Sequence, residues 1–208
     1  MLLTMTGIDG WAWAGLGLYA AWGGVAFGVR AAVQRRRTGD AGFRGISGRP
    51  GEAAWWAGVL FVVAILAGAV APAATLAGLP TAEHAALQWS GLAVTLAGMG
   101  ATFVAQTNMG ASWRVGVAAE ERTELVTAGL FAHVRNPVFT AMTTAATGLA
   151  LLLPNAVSLA ALAALVVAVQ LQVRVVEEPY LTTVHGDTYA AYTAHAGRFL
   201  PGVGRRTA

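Results

Sequence analysis

The sequence contains no cysteine and no lysine, and only 11% of its residues are charged. Without cysteine there is no disulfide, thiolate nucleophile or Cys-ligated metal, and the redox compartment is left undetermined. All 13 basic residues are therefore Arg, which together with the abundant Ala and Gly reads as the codon usage of a GC-rich bacterial genome and has no mechanistic meaning. The scarcity of charge excludes an ordinary soluble domain. With 56% hydrophobic residues and a mean hydropathy of +0.59, the composition is that of an integral membrane protein. The pI near 10.0 reports Arg-rich cytoplasmic loops in such a chain, and no nucleic-acid partner is expected. Asp9 is the only charge before Arg30, so the basic start of a signal peptide is missing and the first apolar stretch is expected to be retained.

What is abundant is apolar sequence in spanning lengths. Segments of roughly 20 residues that can cross a bilayer run from about Trp11 to Val33, Trp55 to Pro80 and Ala85 to Gln106. Two more follow, Pro137 to Leu153 and Ala156 to Val176, joined only by Pro154-Asn155, a connection tight enough to predict an antiparallel helical hairpin. Between the first two lies a loop that opens with Gln34-Arg35-Arg36-Arg37 and continues Gly-rich to Pro50. A polar insertion occupies about Thr107 to Asn136. Beyond Glu177, the spacing of Tyr180, Leu181, Val184, Tyr189 and Tyr192 predicts a separate amphipathic surface helix.

Five crossings place every Arg on one side. The three Arg-bearing regions are the first loop, the polar insertion and the C-terminal end, while the N-terminus, the Glu83/His84 connection and the Pro154/Asn155 turn carry none. The positive-inside rule then puts the C-terminus in the cytoplasm and the N-terminus outside. A bacterial inner membrane is the expected location. The expected fold is an all-α integral membrane protein of about five transmembrane helices. It divides into three N-terminal helices over 1–105 and a region over 106–208 built from loop, hairpin and C-terminal helices. Gly15-Leu16-Gly17 and Gly23-Gly24 permit close helix contact, either within one chain or in a homo-oligomer.

Three polar clusters fall on the cytoplasmic side. The first runs from Leu125 to Phe139, where Gly129 allows a turn or a close approach to a ligand and Arg135 offers a guanidinium fork for a carboxylate. A loop whose Arg anchors to lipid phosphates explains it equally well. The second is Arg174-Val175-Val176-Glu177-Glu178, where Arg174 is three and four residues from two carboxylates and can pair with either. Ionisable groups at that depth are functional candidates, although a helix simply reaching water has the same composition. The third, His185 to Tyr192, reads as a turn between surface helices.

Together these clusters resemble the C-terminal half of the isoprenylcysteine carboxyl methyltransferase family. The matching positions are Leu125, Val126, Thr127, Gly129, Phe131, Arg135, Asn136, Pro137 and Phe139, then Arg174, Glu177, Glu178 and Leu181, then Gly186, Tyr189 and Tyr192. The chain departs from the family pattern at Thr123 and Asn136, where His is common, and at Phe131 and Phe139, where Tyr is common.

The resemblance implies an S-adenosylmethionine site, with S-adenosylhomocysteine as product, between the last hairpin and the C-terminal helices, and a lipophilic acceptor entering from the bilayer. It implies that Gln106, Thr127, Gly129, Leu130, His133, Asn136, Pro137 and Phe139 line the cofactor and that Glu177 and Tyr189 close over it. Arg135, Arg174 and Glu178 would face the acceptor as the catalytic group, with no metal or covalent residue required. The expected activity is methyl transfer to a carboxylate, amine, hydroxyl or thiol on a small lipophilic molecule or lipid. Alternatives are an NADPH-dependent membrane reductase of related architecture and a non-catalytic membrane binding protein that keeps the fold.

Overall fold

The computed structural model describes residues 7–116 and 124–206, and among these the chain is helical, without strands. Glu120, Glu121, Arg122 and Thr123 lie outside the described residues. Five apolar helices occur in the order expected: α1 (Ile8–Thr38), α2 (Ala53–Leu76), α3 (Ala85–Asn108), α4 (Pro137–Leu152) and α5 (Ala156–His195). Four of them are long and apolar enough to cross a membrane. The exception is α4, whose 16 residues span about 24 Å, less than the ~30 Å of a hydrocarbon core.

Two helices outrun their expected ends. The Arg triplet, expected in a loop, forms the last turn of α1, where cations meet the negative end of the helix dipole. The helix stops at Gly39, whose φ of 80° turns its N–H back onto the Arg35 carbonyl at 2.9 Å. Likewise α5 does not end near Val176. It continues through a π-helical turn at Gln172–Glu177 and onward to His195, so the expected separate surface helix is the extension of the last span. A break at Gly186 (φ 49°, ψ −124°) bends that extension. A second π-helical turn, Gly24–Val29, lies within α1.

Backbone proximity holds α3 to α4. The buried side of α3 is Gln88, Gly91, Thr95, Gly98, Thr102 and Ala105, recurring every three or four residues as one helical stripe. Its glycines let the α4 backbone approach. A Cβ on Gly98 would fall 2.3 Å from the Ala145 nitrogen, and one on Gly91 would fall 2.5 Å from that of Leu152. From the other helix, a Cβ on Gly148 would meet the Thr95 nitrogen at 2.3 Å. Since lipid tails are as apolar as leucine, such contact, more than hydrophobic burial, is what joins helices in a membrane. The threonines of the stripe bond within their own helix, Thr95 and Thr102 each donating to a carbonyl four residues back at 2.8 Å.

Elsewhere the bundle closes through side chains. Trp22 and Ala26 of α1 pack on Met142 and Ala145 of α4, and Ala64 of α2 packs on Leu165 and Val169 of α5. The Pro154-Asn155 turn forms the predicted hairpin. Asn155 caps α5, accepting from the Ser158 N–H at 2.9 Å, and its amide donates across to the Ala71 carbonyl and Thr75 Oγ1 on α2. Of the early glycines, Gly15 faces Leu153, just past the end of α4, whereas added Cβ atoms at Gly17, Gly23 and Gly24 would meet nothing within 4 Å.

Substituting Gly98 by Val should destabilise the protein by about 1–3 kcal/mol through overpacking, while Gly17→Ala should be neutral or slightly stabilising. Unfolding of the micelle-embedded protein in sodium dodecyl sulfate, followed by circular dichroism, measures both.

Candidate active site at the Arg-rich end of the bundle

At the Arg-rich end of the bundle the C-terminal tail folds back onto the segment that precedes α4. The Gly197 N–H donates to the His133 carbonyl at 3.0 Å, the Arg135 N–H to the Gly197 carbonyl at 2.7 Å, and the Asn136 N–H to the Arg198 carbonyl at 3.2 Å. Side chains add to this: Asn136 donates its amide to the Arg198 carbonyl at 3.0 Å, Thr140 its hydroxyl to Phe199 at 2.8 Å, and Tyr192 its phenol to Phe131 at 2.6 Å. Asn136 is thereby fixed at the entry to α4, where Pro137 occupies the first turn as expected of a residue lacking an N–H.

Glu178 anchors this arrangement. Its carboxylate is 3% exposed and receives four hydrogen bonds from three guanidinium groups. Arg135 Nη2 and Arg198 Nε reach Oε1 at 3.0 and 2.7 Å, and Arg198 Nη2 and Arg206 Nη2 reach Oε2 at 3.0 and 2.8 Å. Arg135 also donates to the carbonyls of Ala196 at 2.7 Å, Gly204 at 3.1 Å and Thr193 at 3.3 Å. One buried carboxylate thus joins α5, the pre-α4 segment and the tail.

Glu177, the adjacent residue, points elsewhere. Consecutive residues of a helix project about 100° apart, and Glu177 lines a cavity of about 430 Å³ that Glu178 does not reach. The polar lining is Gln106 from α3, Asn136 from the segment before α4, Gln172 and Glu177 from the π-helical turn of α5, and Arg114. The remaining wall is apolar, with Val138, Phe139 and Met142 on α4 and Phe27, Phe61, Val62, Ile65 and Leu66 from α1 and α2. Both π-helical turns contribute to it, through Phe27 and through Gln172 and Glu177. Such turns often occur at functional sites because they redirect side chains out of the helical register.

Behind the cavity, α1 is locked to the end of α3. Gln106 donates to the Ala26 carbonyl at 3.0 Å, and Arg30, 8% exposed, donates to the carbonyls of Gln106 and Gly110 at 3.1 and 2.6 Å. The Arg30 guanidinium also lies over the ring of the buried Trp113, 5.4 Å from its centroid.

Of the residues the sequence nominates, Gln106, Asn136, Phe139 and Glu177 converge on the cavity. Pro137 is buried at the start of α4, and Tyr189 is buried on α5 with its ring 6.2 Å from that of Tyr192. Thr127, Gly129, Leu130 and His133 lie on an exposed rim outside the cavity lining. There Gly129 does make the close approach foreseen for it, since a Cβ would fall 2.7 Å from Asn108 Nδ2. Arg135 and Glu178 meet in the ion cluster and are absent from the cavity wall. Arg174 is exposed and donates to Gln170 Oε1 at 2.9 Å, rather than pairing with either Glu177 or Glu178 as expected; for Glu178 the reason is plain. Three other arginines already fill that carboxylate. Sequence reasoning missed Arg198 and Arg206, which served only as topology markers. It also missed Gln172 and the cavity-lining residues of α1 and α2, which as apolar residues in spans carry no local signal.

The architecture defines an integral membrane protein with a cavity at one end of an all-α bundle. Residues 86–188 match the family model described as Phospholipid methyltransferase, and this segment belongs to that family, the one that includes the isoprenylcysteine carboxyl methyltransferase-like membrane enzymes. No curated protein matches the chain. The family segment covers α3, α4 and α5 as far as Thr188, and so contains Gln106, Asn136, Phe139 and Glu177.

Removing one partner of a buried ion cluster leaves uncompensated charge, so Glu178→Ala should cost about 3–5 kcal/mol. Thermal unfolding of the purified protein should register this as a large fall in Tm, with the exposed Arg205→Ala as a near-neutral control. An unchanged Tm for Glu178→Ala would show that the tail does not depend on the cluster.

Proposed function

We propose that the chain transfers the methyl group of S-adenosylmethionine to a lipophilic acceptor within the cavity. The family of residues 86–188 supports a membrane methyltransferase. The observation that carries the finer reading is the convergence of Gln106, Asn136, Phe139 and Glu177 on one largely apolar cavity. Its volume of about 430 Å³ falls within the ~300–1,000 Å³ usual for cofactor and small-molecule sites.

S-adenosylmethionine supplies an activated methyl group on a sulfonium when bound. The chain's part is to bind, orient and exclude water. The Glu177 carboxylate, set in an apolar wall, complements a cationic group far more strongly than it could in water. Gln106, Gln172 and Asn136 offer amides for hydrogen bonds, and Asn136 is held in place by its own bond to the tail. Phe139, Met142 and Val138 keep water from the transfer. In this reading Arg135 and Glu178 are positioning residues, acting on Asn136 through the backbone they pin, and the four hydrogen bonds that Glu178 accepts from Arg135, Arg198 and Arg206 leave it no role as a base. Glu177 is then the carboxylate placed to receive a proton from a protonated acceptor. By the positive-inside rule this end of the bundle faces the cytoplasm of a bacterial inner membrane, with the N-terminus outside.

Isothermal titration of the purified protein with S-adenosylhomocysteine tests the reading. Binding is expected, and Glu177→Gln should weaken it at least about tenfold, or ~1.4 kcal/mol, without lowering Tm, while Asn136→Ala should weaken it by a similar factor and also lower Tm slightly through loss of its bond to the Arg198 carbonyl. No binding by folded protein, with NADPH bound instead, would replace the methyltransferase with the reductase.

A further inference from the structure

The cavity has two walls of different origin. The polar groups named above all come from the family segment, whereas Phe43, Ile46, Val62 and Leu66 precede residue 86. These four are also exposed, by 52%, 45%, 47% and 61% respectively. The cavity therefore opens at this edge onto an apolar surface. Phe43 and Ile46 belong to a strap, residues 39–51, that connects α1 to α2.

The strap is built, not slack. Glycine recurs at every third position, at Gly39, Gly42, Gly45, Gly48 and Gly51, each with φ between 77° and 92°. An L side chain is strained in that region, and glycine is not. The resulting path is fixed on both flanks. Toward the polar insertion, the Arg44 N–H donates to the Val115 carbonyl at 3.0 Å and the Val115 N–H to the Gly42 carbonyl at 2.8 Å. A Cβ on Gly42 would fall 2.8 Å from the Trp113 ring. Toward α2, Ile46 sits on Gly58, where a Cβ would meet its Cγ2 at 2.7 Å. Within the strap, Arg44 pairs with Asp40 and, with the Gly42 amide, holds the Asp40 carboxyl below its usual range.

Depth in the bilayer identifies what this edge can meet. Trp55 and Trp56 open α2 at the level where aromatic residues favour the interface. Leu66 lies ten residues further along α2 than Trp56, about 15 Å deeper, and Val62 is one turn before it on the same face. An apolar edge that runs inward from the interface and leads to a cavity carrying the few polar groups Gln106, Asn136, Gln172 and Glu177 matches an amphiphile, with its head at those groups and its chain along α2. Resting on the methyltransferase reading, we propose that the strap and the outer face of α2 hold the hydrocarbon chain of the acceptor. Phe43, Ile46, Val62 and Leu66 then select the acceptor by that chain.

The test uses the full chain in phosphatidylglycerol vesicles, irradiated with a hexadecylamine carrying a diazirine at its tail, with adducts located by peptide mass spectrometry. Adducts should concentrate on Phe43, Ile46, Val62 and Leu66, about tenfold over the equally exposed Trp89, Leu96 and Phe103 of α3, and excess unlabelled hexadecylamine should remove them. Val62→Trp, at a position open enough to accept the ring, should reduce labelling of the strap by a similar factor, whereas Leu96→Ala on the outer face of α3, outside the cavity, should leave it unchanged. Phe43→Ala provides a second variant with the same expectation as Val62→Trp. Adducts spread evenly over the lipid-facing helices, or unaffected by both Val62→Trp and Phe43→Ala, would overturn the proposal. Focused labelling in a protein that does not bind S-adenosylhomocysteine would sustain the chain site while removing the methyl-donor reading.

Discussion

A single carboxylate, Glu178, is the constraint on which the site end of this protein depends. In an apolar setting a lone carboxylate would shed its charge rather than bear the cost of desolvation. Here both oxygens are filled by charge-assisted hydrogen bonds, including a two-point fork from Arg198. Because the three guanidinium groups come from the segment before α4 and from two places in the tail, satisfying the charge also folds these pieces against α5. The tail then supplies the carbonyls that fix Asn136. The order of the cavity's polar wall follows from the neutralisation of a charge that is not in the cavity.

The same geometry explains how much of the molecule can be read from its sequence. Spans are legible because twenty apolar residues in a row have few other uses, and the hairpin is legible because Pro154-Asn155 leaves no room for another connection. Helix ends are not. The Arg triplet after α1 and the Glu pair in α5 look like exits from the membrane, yet each continues the helix, since charged residues at a helix end can reach water without unwinding it. The site was half legible for a related reason. Glu177 and Glu178 are neighbours in sequence and read as one feature, but a helix sends them to different places. Which of them faces a cavity depends on contacts from residues 20 and more positions away, such as Arg198 and Arg206, which no local pattern announces.

The outer wall of the cavity is invisible in sequence for a different reason. Phe61, Val62 and Ile65 look like any other residues of a membrane span, and only the packing of α2 beside α4 and α5 shows that they also border a cavity. The strap is more telling in retrospect. Glycine at every third position from 39 to 51 looks like a flexible linker, the usual meaning of glycine-rich sequence. Here each glycine has a positive φ, and the backbone bonds to Val115 make the segment a fitted part of the wall. What distinguishes the two cases is the regular interval, because a linker needs glycine in amount but not in register.

The contrast between the two helix pairings bears on how the cavity can exist at all. A bundle joined everywhere as α3 is to α4, backbone on backbone across Gly91, Gly98 and Gly148, would leave no space between its helices. Against α4, by contrast, α1 and α2 make their contacts through larger side chains, Trp22 on Met142 and Phe61 on Phe139, whose ring centroids are 6.4 Å apart. Those side chains hold the helices apart. At the Arg-rich end the strap above and the clamp of Arg30 and Gln106 behind bridge the gap. The backbone-on-backbone half formed by α3 and α4 therefore fixes Gln106 and Asn136 relative to each other, while α1 and α2, set off from α4 by side chains, give the volume its shape. Changes of acceptor can then be made in the second half without disturbing the polar groups held by the first.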